Sequence, residues 1–202
     1  ADLNRSYDAV VRVNSQSGKG GVSFLLQNAA GFELPRRLQI EFSRIVQKVS
    51  DETSREVDTA SIVNLFEASY LQVETPYRYM SSHVIDEQTS DVVTKMVLSH
   101  HEQRTELGGQ GNGPLDAAAK AISEHLVQAV TVADYHEHGM STGSDAAAVS
   151  YVEVKVGDKP AIFGVGQDKN ITTAAIKALI NGVNRAMANE QQHVDSLKQA
   201  LV

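Results

Sequence analysis

Leu107-Gly-Gly-Gln-Gly-Asn-Gly-Pro-Leu-Asp-Ala-Ala-Ala-Lys-Ala-Ile122 is the stretch on which the fold turns. Gly109, Gly111 and Gly113 permit tight or positive-φ backbone. Pro114 fits the first helical position, where a missing N–H costs nothing. Leu115, Ala118, Ala119 and Ile122 follow at helical spacing. The reading is a glycine-rich turn feeding a helix whose free N–H groups point back into the turn, where a carboxylate or phosphate could sit. It is not a dinucleotide fingerprint, because Pro114 stands where the last glycine belongs. It is not a phosphate-binding P-loop, because Pro114-Leu115 replaces Lys-Ser/Thr. A plain strand-to-helix turn without ligand fits the same residues.

Downstream of this helix come strands near 128–138, 147–156 and 160–165 and a helix from Ile171 to about Ala188. Upstream lie strands near 79–86, 90–99 and 102–108, where Val92, Thr94, Met96 and Leu98 alternate with Val93, Lys95, Val97 and Ser99. The order is three strands and a helix, twice, and the approach to each helix rhymes: GQGNGPLDAAAKAI against GVGQDKNITTAAIKAL. Two βββα units that can bury their helix faces against each other make an α+β domain. A polar boundary at Gln72–Arg78, around Pro76, separates it from what precedes. There, a strand at 8–13, a glycine loop at 15–21 and helices near 22–31, from Pro35 onward and at Ser61–Leu71 make a small linker subdomain. Its core is marginal alone, so it should pack against something outside this chain or a second copy. Arg36-Arg37 reads as a solvated face. The predicted division is 1–72 linker subdomain, 73–190 regulatory domain and 191–202 polar C-terminal tail.

The chain has 202 residues, 42% hydrophobic and 21% charged, and no cysteine. Disulfides, cysteine nucleophiles and thiolate metal sites are excluded. A net charge of −7 argues against nucleic acid or an anionic membrane as partner. No apolar run approaches the roughly 20 residues that span a bilayer. No signal peptide is visible, and Ala1 without a methionine suggests a trimmed chain. Asp134, His136 and His138 fall on one strand face; with Glu137 and His100-His101-Glu102 they invite a metal reading, although no further ligand has diagnostic spacing. There is no G-x-S-x-G or H-E-x-x-H, and no nucleophile is positioned for His136, so no catalytic residue is assigned.

Several motifs match one family in collinear order. RVNSQSGKGGVSFLLQ, LPRRLQIEFSRIVQ, GxGNGPLDA, ADYHEHGMSTGSDAAAVSYVEV and GVGQDKNITTAAIKALINGVNRA resemble the C-terminal part of 2-isopropylmalate synthase in its longer form, over roughly residues 6–187. The resemblance implies a parent enzyme that condenses acetyl-CoA with 2-oxoisovalerate in leucine biosynthesis, a transferase of the bacterial cytoplasm or a fungal organelle. Its catalytic TIM barrel, with a divalent metal and catalytic base, is missing here, so this fragment should be inactive alone and needs no cofactor. The implied role is feedback inhibition: L-leucine binds between the regulatory domains of a homodimer. Matched residue by residue, the leucine pocket is Gly111, Asn112, Gly113, Leu115, Asp116, Val132, Tyr135, Gly139, Ala146 and Ile171, with Gly139 and Ala146 flanking the Met140–Asp145 loop. Asp116 and Gly139 stand where a relative can carry alanine, which leaves leucine versus isoleucine or valine open. The alternatives are the isoleucine-sensing domain of citramalate synthase, a free-standing metal-dependent enzyme using His136/His138, and a pure dimerisation module.

Overall fold

The computed structural model describes residues 12–13, 19–86, 88, 90–140, 146–188 and 190–201. In chain order they form β1 (Arg12–Val13), α1 (Lys19–Ala30), α2 (Arg36–Thr53), β2 (Val57–Asp58) and α3 (Thr59–Phe66). Next come β3 (Tyr77–Asp86), β4 (Val92–His100), β5 (Gln103–Gly111) and α4 (Pro114–Leu126). Then follow β6 (Val130–Gly139), β7 (Ala148–Val156), β8 (Ile162–Asp168), α5 (Ile171–Met187) and α6 (Glu190–Ala200). The strands pair antiparallel as β1-β2, β3-β4-β5 and β6-β7-β8. This is the α+β layout of two βββα units that the internal repeat implies. Residues 8–11, 15–18 and 141–145, which carry parts of the strand and loop readings above, lie outside the described residues. No helix among the described residues is long and apolar enough to cross a membrane.

The two units meet through their helices. Ala118, Ala121 and Ile122 of α4 share one buried cluster with Ile176, Leu179, Ile180 and Val183 of α5, Met96 and Leu98 of β4, and Val152 and Val154 of β7. The apolar stripes predicted from helical spacing face this cluster. Asn184 of α5 is fully buried and fully used. Its Oδ1 accepts from the Tyr77 N–H at 3.0 Å, and its Nδ2 donates to the carbonyls of Val73 at 2.7 Å and Tyr77 at 2.6 Å. It thereby clamps the connection between the linker and the first unit.

The linker helices do not wait for a partner outside the chain. Their core of Leu26, Leu38, Phe42, Ile62, Leu65, Phe66 and Tyr70 is continuous with Val149 and Tyr151 of β7 and Phe163 and Val165 of β8. Period-two alternation makes this possible. On β7, Val149, Tyr151 and Glu153 face the linker, while Val152, Val154 and Val156 face the helices. The second sheet is therefore buried on both sides, whereas the outer face of the first sheet carries the exposed Lys95 and only half-buried Val93 and Val97. α3 is started by Asp58, whose carboxylate accepts from the Ser61 N–H at 2.8 Å, and runs on into a π-helical turn, Glu67–Leu71.

Three sequence readings change. The expected polar tail is a helix, α6. Val194 and Leu197 are buried, and Leu197 joins the linker core with Leu201 packed against it; their three- and four-residue spacing forms a narrow apolar stripe within a polar segment. Arg37 is not simply solvated, since its guanidinium pairs with Glu153 at 2.8 Å and Asp134 at 3.3 Å on the second sheet. Finally, β5 continues through Gly111, so Gly109 and Gly111 are strand residues, and the positive-φ glycines among the described residues are Gly31 and Gly157 instead.

Those strand glycines serve close approach. A Cβ at Gly109 would stand 2.2 Å from the Ala117 carbonyl oxygen, and one at Gly111 would stand 2.3 Å from Asp116 Oδ2 and 2.7 Å from Ala117 N. The second unit repeats the device. A Cβ at Gly164 or Gly166 would stand 2.0 Å from the carbonyl oxygen of Ala178 or Ala174. Each G-x-G pair lets its helix lie directly on the strand before it.

Candidate functional site

The predicted pocket residues gather at the β5–α4 corner, along β6 and at the start of α5. Gly111 ends β5, Asn112 is exposed in the turn, and Gly113 precedes α4 in extended conformation (φ −163°, ψ 174°). No side chain caps α4 from that position. The start of α5 differs: Asn170 Oδ1 accepts from the N–H groups of Thr172 at 2.9 Å and Thr173 at 3.1 Å. The first turn of α5 is thus occupied by its own cap, whereas that of α4 keeps donors for something else.

Asp116 instead binds a donor just before the helix, in the turn itself. Its Oδ2 accepts from the Asn112 N–H at 3.0 Å and pairs with Lys120 Nζ at 3.1 Å. The Asn112 bond, then Lys120, holds the carboxyl below its ordinary range. Asp116 therefore points back into the turn, where it occupies a backbone donor, and Lys120 offsets its charge. Lys120 was missed in the sequence, although its four-residue spacing from Asp116 is the spacing of a helical ion pair. The other unit places Asp168 alike, accepting from the Asn170 N–H at 2.9 Å and pairing with Lys177 at 2.9 Å.

Val132 and Tyr135 are three apart and in a regular strand would point to opposite faces. A bulge between Val132 and Asp134 corrects this. Val132 pairs with Val154 and Tyr135 with Val152, so both lie on the face turned to α4 and α5. Leu115 packs against the same cluster. The Tyr135 hydroxyl donates to the Glu137 carboxylate and lies 3.5 Å from Ser150 Oγ. Burial, reinforced by Glu137, raises the phenol to about 12, so it stays a hydrogen-bond donor at neutral pH. Gly139 is exposed at the end of β6, opposite Ala148, and Ala146 is half-buried just before β7. Ile171 opens α5 with 37% of its surface exposed.

Asp134, His136 and His138 do share a face, the one turned to the linker, and there they are engaged. His136 Nε2 donates to Asp134 Oδ2 at 2.9 Å, which with the Tyr135 N–H and Arg37 keeps that carboxyl low. His138 Nε2 accepts from the Tyr151 hydroxyl at 2.6 Å and the Glu33 N–H at 3.2 Å, while its Nδ1 donates to the Gly139 carbonyl at 3.0 Å. That pattern is a neutral imidazole tying linker to sheet. His100 stacks on Tyr77 in the first unit, with ring centroids 4.6 Å apart. Among the described residues no group of three or more His, Asp or Glu is arranged to hold a metal ion.

The fold is thus a duplicated βββα module docked on a helical linker, with several polar side chains spent on capping and tying. The family described as "LeuA allosteric (dimerisation) domain" matches residues 56–187, and that described as "Alpha-isopropylmalate synthase, post-catalytic domain-like" matches residues 1–27. The chain belongs to the LeuA allosteric (dimerisation) domain family. Its relatives include the 2-isopropylmalate synthase of Cupriavidus taiwanensis, 48% identical over 92% of this chain and 32% of that protein. That of Parvibaculum lavamentivorans is 45% identical over 93% and 32%, and that of Pseudomonas fluorescens strain Pf-5 is 42% identical over 95% and 34%. The chain thus spans about a third of the length of the curated relatives it matches.

Proposed function

We propose that the chain is the C-terminal regulatory part of a 2-isopropylmalate synthase, that it works as a homodimer, and that it binds L-leucine as feedback inhibitor. Residues 1–72 act as linker and 73–190 as the sensing domain, with α6 returning to the linker. The barrel that condenses acetyl-CoA with 2-oxoisovalerate, with its divalent metal, belongs to the portion of such enzymes that this chain does not span. The chain alone is then without synthase activity.

The observation that carries the reading is the α4 corner in a member of this family. An uncapped helix start, exposed Asn112, half-buried Gly113, and apolar Leu115, Val132 and Tyr135 on one cluster offer what an aliphatic amino acid needs. The helix start supplies roughly 0.3–1 kcal/mol for a carboxylate, and burial of the side chain supplies roughly 1.5–3 kcal/mol more. In this reading Gly139, Ala146 and Ile171 complete the pocket together with the second subunit.

Calorimetric titration of L-leucine, with isoleucine and valine as competitors and sedimentation to fix the oligomeric state, tests this. Saturable binding that prefers leucine and weakens in Tyr135→Ala supports it. Preference for isoleucine moves the assignment to a citramalate synthase sensor. A folded dimer indifferent to all three amino acids leaves an assembly module and refutes the effector reading.

A further inference from the structure

The sequence holds two Asn-Gly pairs, Asn112-Gly113 and Asn181-Gly182. This dipeptide carries chemistry of its own. The backbone nitrogen of the glycine can attack the side-chain carbonyl of the asparagine and close a cyclic imide, and glycine has no Cβ to shield that nitrogen. Asparagine counts among the thermolabile residues. Two freedoms decide whether the ring closes. The side-chain amide must be able to turn, and the glycine N–H must stand outside regular secondary structure.

The fold withholds both at Asn181 and grants both at Asn112. Asn181 is half-buried, and its Nδ2 donates to the carbonyls of Val165 at 2.7 Å and Leu71 at 3.3 Å. Gly182 lies inside α5, and a Cβ there would stand 2.7 Å from Val154 Cγ1. Asn112, by contrast, is exposed in the turn between β5 and α4. Among the described residues neither its side-chain amide nor the Gly113 N–H has a hydrogen-bond partner. A Cβ built on Gly113 would meet nothing within 4 Å, so an imide ring has space. Exposed side chains change rotamer within picoseconds to nanoseconds, while the Asn112 N–H stays held by Asp116 Oδ2 at 3.0 Å.

We propose that Asn112-Gly113 is a self-modification site, deamidating spontaneously and so ageing the α4 corner. Gly113 N bonds to Asn112 Cγ, the Cγ–Nδ2 bond breaks, and Nδ2 departs as ammonia with the proton from the Gly113 N–H. Water then opens the imide. Cleavage between Cγ and nitrogen leaves an aspartate at position 112. Cleavage at the original peptide carbon leaves an isoaspartate, whose main chain runs through Cγ and is one atom longer just ahead of α4. Either product adds a carboxylate beside that of Asp116, which disfavours an anion at the helix start. The consequence is weaker effector binding as the protein ages. That consequence rests on the leucine reading above; the deamidation does not.

The test incubates the 202-residue chain in mildly alkaline buffer made with H₂¹⁸O, digests it in ordinary water and reads the peptides by mass spectrometry. Calorimetry of L-leucine on fresh and incubated samples runs alongside. Conversion with ¹⁸O gained at position 112 is expected, about tenfold faster or more than at Asn181, which must wait for α5 to open locally. Gly113→Ala should slow it without unfolding the chain, because the backbone there is extended and the added Cβ meets open space. Incubated chain, and fresh Asn112→Asp, should bind leucine more weakly than fresh chain. An intact Asn112, equal conversion at both pairs, or conversion indifferent to Gly113→Ala would overturn the site. Leucine binding unchanged after full conversion would overturn its effect on sensing. A fresh chain that ignores leucine while Asn112 converts refutes the effector reading, and the modification site stands.

Discussion

Glu41 and Arg185 lie 144 positions apart and form an ion pair that joins α2 of the linker to the last helix of the second unit. The Tyr70 hydroxyl donates to Glu41 Oε1 at 3.0 Å, the Phe163 N–H donates to Oε2 at 3.3 Å, and the Arg185 guanidinium lies 4.2 Å from the Tyr70 ring centroid. The carboxylate is thereby shared by helix, strand and ring. Glu41→Ala leaves the Arg185 cation buried and unpaired, and the expected cost is about 3 kcal/mol, while Glu41→Met with Arg185→Met recovers most of it. Urea unfolding of the single and double variants reads this directly. A single variant as stable as the parent would show that the pair ties nothing.

Gly166→Ala should be badly tolerated, because its Cβ would meet the Ala174 carbonyl oxygen at 2.0 Å and backbone cannot swing aside. Gly109→Ala in the first unit should behave alike, against the Ala117 carbonyl. A loss of about 1–3 kcal/mol or more is expected for each. Gly108→Ala is the control, since its Cβ would meet only Lys95 Cγ at 3.9 Å. Equal denaturation midpoints for all three would rule out the close-approach role.

Asp116→Ala releases the Asn112 N–H and removes a negative charge beside the proposed carboxylate site. Leucine should then bind about two- to fivefold tighter, from the roughly 0.3–1 kcal/mol that a charge is worth at a helix start. The same change should cost about 0.5–1 kcal/mol of stability through loss of the backbone bond. Calorimetry and thermal unfolding measure the two effects. Weaker leucine binding in this variant would assign Asp116 to the ligand's ammonium instead.

His193 gives a pH signature. Burial, with help from Arg185, lowers its pKa from 6.5 to about 4. The unfolded chain therefore takes up a proton at this residue near pH 6.5, and the folded chain resists until about pH 4. The stability from keeping the ring neutral is complete above pH 6.5 and declines as pH falls through that window. His193→Gln should flatten this part of the curve. An unchanged slope in urea midpoints between pH 7 and 4 would contradict it.

Much of this architecture is legible in the chain. The alternation from Val92 to Ser99 and the rhyme between the two helix approaches mark the βββα units, and the apolar spacing of α4 and α5 marks the faces that meet. Other features depend on partners remote in sequence. Nothing local announces the extra residue at Ala133, yet that bulge turns Val132 and Tyr135 to the same side. The glycines at 109 and 111 look like turn formers because turns and close strand–helix contacts call for the same residue, and the contacts at 164 and 166 likewise depend on the helix that follows. Val194, Leu197 and Leu201 are too few to stand out in a polar segment until the linker surface they cover is known. Asp134, His136 and His138 share the predicted face, but the bonds to Arg37 and Glu33 depend on where the linker docks, and that of His138 to Tyr151 on the register of β6 against β7.

The burial of β6-β7-β8 on both sides makes the duplicated halves mechanically unequal. Among the described residues the linker core is continuous with the second half, through Phe163, Tyr151, His138 and the Glu41–Arg185 tie, while the outer face of the first half carries the exposed Lys95. A disturbance at the α4 corner reaches the linker through α5 or through β6, whose Val132 and Tyr135 share the α4 cluster and whose Asp134 and His138 bind Arg37 and the Glu33 N–H, while one at β7 or β8 meets the linker core directly. The duplication is therefore clamped at one end, and the two near-repeats differ in how much of their surface is left for contact with other molecules.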